Sequence, residues 1–142
     1  MKKVSVLMIV SVGMFITVNA QKLQTSKVPA AVKTSFSKQF PGASPSWELE
    51  DGKYEASFKD KGHSMSALFD LKGMMTESEI AIKVDELPAS VLVYVKQQYK
   101  SAPIKEAAKI TKADGTINYE AEVNKKDVLF DANGKFIKES KD

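Results

Sequence analysis

The 142-residue sequence predicts an α+β protein made of two tandem units. Each unit is one helix followed by a four-stranded antiparallel meander, and the units join into one sheet with both helices packed on one face. Two observations carry this. Three short segments recur in the same order, and in each half the apolar period switches from about four residues to two.

The recurrences are specific. Val28-Pro29-Ala30-Ala31-Val32 resembles Leu87-Pro88-Ala89-Ser90-Val91 at a spacing of 59. Tyr54-Glu55-Ala56 returns as Tyr119-Glu120-Ala121 at a spacing of 65, and Leu68-Phe69-Asp70-Leu71-Lys72-Gly73 as Leu129-Phe130-Asp131-Ala132-Asn133-Gly134 at 61. The units run over about Lys22–Ile82 and Lys83–Asp142, within a single domain covering 21–142.

Residues 1–20 precede the units and read as a secretory signal. Lys2 and Lys3 lead into Val4–Ala20, 17 residues without a charge, ending Val18-Asn19-Ala20. A basic end, an apolar middle and small residues before a cut are the signal-peptide plan, with cleavage expected after Ala20. The run is too short and too often interrupted by Ser5, Ser11, Gly13 and Thr17 for a membrane anchor. Localisation is therefore periplasmic or secreted, with no membrane span after cleavage. Removing Lys2 and Lys3 lowers the net charge from +3 to +1, with 19 lysines against 18 acids.

In the first unit Val28, Val32, Phe36 and Phe40 form the inward stripe of a helix that Pro41-Gly42 stops. Trp47 and Leu49 then alternate with Glu48 and Glu50. Asp51-Gly52 turns the chain into Tyr54, Ala56 and Phe58. After Asp60-Lys61-Gly62 come Met65, Ala67 and Phe69, and a fourth strand covers about Met74–Ile82. In the second unit Leu87, Val91, Val95 and Tyr99, with Leu92 alongside, form the stripe. Pro103–Thr111 is a strand, although Glu106-Ala107-Ala108-Lys109 is compatible with helix. Ile117, Tyr119, Ala121 and Val123 alternate next, then Val128 and Phe130, and Phe136–Glu139 closes. Tyr94 lies off the stripe, as a surface tyrosine at a contact site would.

Composition narrows the function. There is no cysteine, a single histidine (His63) and no arginine among the 21 basic residues. Disulfides, thiolate metal sites and triads are excluded, and a net charge this small is not that of a nucleic-acid protein. The glycines sit at turns without a phosphate-loop spacing, so no cofactor is expected. Strand parity places Glu48, Glu50, Glu55, Glu120 and Glu122 on the polar sheet face, expected to face water and to form the partner-binding face, a docking surface for a basic partner or a weak calcium site.

The signal segment, the Leu/Val-Pro-Ala-x-Val helix start, the Tyr-Glu-Ala strand and the Leu-Phe-Asp-x-x-Gly hairpin together resemble the PepSY-like secreted proteins of Bacteroidetes, which have a β-lactamase-inhibitor-protein-like fold. That resemblance implies an exported binding protein, a peptidase inhibitor or regulator that docks an envelope or secreted protein on the polar sheet face. It brings no catalytic residues, and this chain has none of the disulfides of the β-lactamase inhibitors. Two alternatives stand beside it: a small periplasmic hydrolase or metal-dependent enzyme centred on His63, and a passive small-ligand-binding envelope protein. The oligomeric state is left open.

Overall fold

The computed structural model describes residues 21–141; the signal segment lies outside them. Nine antiparallel strands form one sheet in simple chain order: β1 (Gln21–Leu23), β2 (Ser46–Glu50), β3 (Lys53–Asp60), β4 (His63–Phe69), β5 (Met75–Ile82), β6 (Ile104–Lys112), β7 (Ile117–Val123), β8 (Lys126–Asp131) and β9 (Phe136–Lys141). Helix α1 (Ala30–Gln39) separates β1 from β2, and α2 (Ala89–Gln98) separates β5 from β6. Strand β1 was not expected. Three residues are too few to show alternation, but they cap the free edge of β2 by pairing Leu23 with Trp47. The ambiguous segment after Pro103 is strand, because its backbone is claimed by β5 on one side and β7 on the other.

Both helices begin directly after a proline, Pro29 and Pro88, and both bury the expected stripe. Val28, Val32 and Phe36 are buried with Trp47, Ala56, Phe58, Ala67 and Phe69. Phe36 meets Phe58 edge-on at 4.9 Å and Trp47 at 5.5 Å between ring centroids. Leu87, Val91 and Val95 are buried with Ala107, Ala121, Val123, Val128 and Phe130. Small residues where the helices come closest (Ala56, Ala67, Ala107, Ala121) and large ones beside them fill each core by interdigitation. Two expectations for α2 change. Leu92 is exposed. Tyr94 is no surface contact residue: its ring stacks on Phe136 at 5.1 Å and meets Phe130 edge-on at 5.4 Å.

The repeated hairpin and the repeated helix start touch each other. Asp70 Oδ1 accepts the N–H groups of Lys72 and Met74, both at 2.9 Å. Asp131 Oδ1 accepts those of Asn133 at 2.8 Å and Lys135 at 3.0 Å. The two turns bring Gly73 against Ala31 and Gly134 against Ser90, and Ser90 Oγ donates to the Asn133 carbonyl at 2.8 Å. A register shift follows at matching places, between Leu68 and Phe69 and between Leu129 and Phe130, bending the strand as bulges do. Asp131→Ala strands two backbone N–H groups and is expected to cost about 1–2 kcal/mol in urea denaturation, with Asp131→Asn losing less because one acceptor remains.

Candidate functional site

The pleat decides which glutamates share a face. Glu48 is the cross-strand partner of Glu55, which opposes Leu68, which opposes Glu77 and then Lys112. Ser57, Ser66, Glu79, Ile110 and Asn118 form the next row. Ala108, Glu120, Leu129 and Lys138 form another, and Glu106, Glu122, Asp127 and Ser140 another. Glu48, Glu50, Glu55, Glu120 and Glu122 thus lie on one side of the sheet, as strand parity expects. They divide into one group on β2–β3 and one on β7, with three strands between.

The expectation that all five face water needs correction. Glu48 and Glu122 are half-buried, but Glu50 is 8%, Glu55 3% and Glu120 0% exposed. Glu79, at 4% exposed, lies between the two groups and was missed. A sheet this wide twists and curls, so neighbouring rows close over one another on one side. Parity predicts the face a side chain takes, but not the curl.

Burial sets the electrostatics. Taking a carboxylate out of water favours its neutral form, and neighbouring acids add to that. Glu120 is pushed up to about 10, by burial first and then by Asp127 and Glu79. Glu55 rises to about 7, by burial and then Glu50 and Glu48, with the Ser66 hydroxyl pulling it back slightly. Glu79 is raised well above the usual carboxylate range by burial and by Glu55, Glu77, Asp127 and Glu106. Oε1 of Glu55, Oε2 of Glu79, Ser66 Oγ and both carboxyl oxygens of Glu120 are buried without a well-formed hydrogen bond among the described residues. At neutral pH Glu79 and Glu120 keep their protons, so this face is less acidic than its composition.

Beside this cluster lies a depression of about 230 Å³. Leu68, Ile110 and Leu129 provide its apolar lining, with Asn118 beside them; Glu50, Asp51 and Glu77 supply acids, and Lys53, Lys112 and Lys138 the cations. All three lysines act on Glu77, where burial still outweighs them and raises its carboxyl. The sequence signal for this site was two adjacent apolar residues, Leu68-Phe69 and Leu129-Phe130, where strict alternation demands one polar. The bulges send one residue of each pair to each face.

His63 is exposed at the start of β4, opposite Asp60. It lines neither this depression nor a more open one bounded by Gly42–Ser46, Phe58, Lys59 and Met65. Among the described residues no three acids or histidines are arranged to hold a metal ion, which removes the calcium alternative from the glutamate face as it stands. No helix of the described residues is long and apolar enough to cross a membrane. Away from this face, Tyr99 donates to Glu139, which also pairs with Lys126 at 2.7 Å; burial and that carboxylate raise the Tyr99 hydroxyl.

Comparison with known proteins agrees with this architecture. No curated protein sequence matches the chain. A "putative periplasmic" protein of Bacteroides eggerthii shares the fold with a TM-score of 0.73 at 17% identity, over 80% of this chain and 88% of its own. A BLIP-like protein of Bacteroides fragilis does so with a TM-score of 0.60 at 19% identity, over 79% of this chain and 84% of its own. At these identities the likeness is one of fold. The sequence profile described as "putative beta-lactamase-inhibitor-like, PepSY-like" matches residues 13–73 and again 52–138. Since these matches cover most of the sequence, the chain belongs to the PepSY-like, β-lactamase-inhibitor-like family.

Proposed function

We propose that the protein is an exported, non-enzymatic binding protein that docks a protein partner on its glutamate face, as a peptidase inhibitor or regulator would. The observation that carries this reading is the depression on that face, an apolar lining within a ring of charges, the pattern of a protein-docking surface. Export follows from the reading of residues 1–20 as a cleaved signal, and the periplasmic description of the Bacteroides eggerthii neighbour is consistent with it.

In the same reading residues 21–142 are one domain of two tandem repeats, about 22–82 and 83–142, with both helices on one face. Matching hairpins, bulges and helix starts support it. So does the row Met65, Ile80, Lys109, Tyr119, Phe130, which runs in register from the side of one core to that of the other.

Glu48 and Glu122 are the members of the face that tolerate charge reversal, being only half-buried. Using purified protein as bait in periplasmic extract, Glu48→Lys with Glu122→Lys is expected to reduce capture of a specific partner by about tenfold or more, as reversed interfacial charges do. Lys96→Glu, on the exposed side of α2, should leave capture intact. Equal capture by all three proteins removes this face as the docking surface.

A further inference from the structure

From the lining of the depression we infer the partner's chemistry: it inserts one apolar side chain flanked by carboxylates. This deepens the docking reading above and rests on it. Three observations converge. The depression, about 230 Å³, is smaller than the roughly 300–1,000 Å³ of small-molecule sites and suits a single large side chain, the form an interface anchor takes. Its apolar lining is aliphatic, from Leu68, Ile110 and Leu129, and offers such a side chain contact but no polar partner. Its cations, Lys53, Lys112 and Lys138, come from three different strands and converge on Glu77.

The charges on the rim decide the sign. None of the three lysines closes an ion pair within 4.0 Å on Glu77 among the described residues, so their ammonium donors remain available to an incoming carboxylate. Burial favours the neutral form of the opposing Glu50 and Glu77, which weakens the acidic side of the rim. An acidic segment is therefore matched here and a basic one is not, the reverse of the basic partner expected from composition.

The test titrates the isotope-labelled protein with three acetylated, amidated pentapeptides: Gly-Asp-Leu-Asp-Gly, Gly-Lys-Leu-Lys-Gly and Gly-Asp-Gly-Asp-Gly. The methyl resonances of Leu68, Ile110 and Leu129 are followed by NMR. The Asp-Leu-Asp peptide is expected to shift them saturably and to bind about tenfold or more tightly than either other peptide. Lys112→Glu with Lys138→Glu should invert the preference between the acidic and basic leucine peptides while the remaining methyl spectrum stays folded. Equal or tighter binding of the Lys-Leu-Lys peptide overturns the inference, as does the absence of shifts at these methyls. If partner capture still depends on Glu48 and Glu122 in either case, the docking surface stands and only its assigned chemistry falls.

Discussion

Replacing Glu120 by Gln is expected to flatten the pH dependence of stability and to make the protein more stable than its parent at alkaline pH. The folded-state pKa of Glu120 is about 10 and that of Glu55 about 7, against 4.5 for either group in water. A carboxyl whose folded pKa is raised contributes its full stability below the unfolded value, and loses it as pH climbs toward the folded value. Each such group costs up to about 1.4 kcal/mol per pH unit across that window. The parent's unfolding temperature should therefore fall from pH 5 upward, most steeply to about pH 7 while Glu55, Glu79 and Glu120 all contribute. Beyond that the slope eases as Glu55 completes its titration. At pH 5 the variant should lie within about 1 kcal/mol of the parent; at pH 8.5 it should be about 2–4 kcal/mol more stable, because a buried charge without a compensating partner is removed. Thermal melts of both proteins from pH 5 to 9 decide it, and parallel curves would falsify the assignment of a buried proton to Glu120.

Gly73→Ala and Gly115→Ala should differ sharply although the two glycines share a φ of +83°. Both pay the left-handed backbone penalty of a β-carbon, about 1 kcal/mol. At Gly115 nothing lies within 4 Å of the added atom, so the cost ends there. At Gly73 the new carbon sits 2.7 Å from the carbonyl oxygen of Ala31 and 2.9 Å from its carbon. Backbone cannot swing aside as a side chain can, so α1 must lift from the hairpin. A total of about 2–4 kcal/mol is expected for Gly73→Ala, in the range of overpacked sites. Denaturant midpoints for the two variants measure the difference directly. Equal costs would show that the hairpin and the helix start are not in the contact described.

Much of the fold was legible because local chemistry and tertiary need coincide. The stripe Val28, Val32, Phe36 marks a helix face whatever it packs against, and Asp70 and Asp131 specify their turns within five residues. The short strand β1 was not legible, since Gln21–Leu23 becomes a strand only because β2 offers an edge. The site was half legible. The recurrence of Tyr-Glu-Ala pointed to Glu55 and Glu120, and their parity was readable from the tyrosine and alanine beside them. Glu77 and Glu79 were passed over because Thr76 and Ser78, on the other parity, are polar as well, leaving that strand without a clear apolar side.

By itself the sequence determined the sheet face each residue takes, the turns, the two helices and the resemblance to the family, all properties set within a few residues of chain. Only the tertiary structure decided that Glu120 is sealed from water, that Glu79 links two separated groups of acids, and that three lysines from distant strands surround an aliphatic pocket. Those facts depend on the curl of nine strands acting together. Burial and charge proximity are sums over the whole sheet, whereas alternation belongs to a single strand.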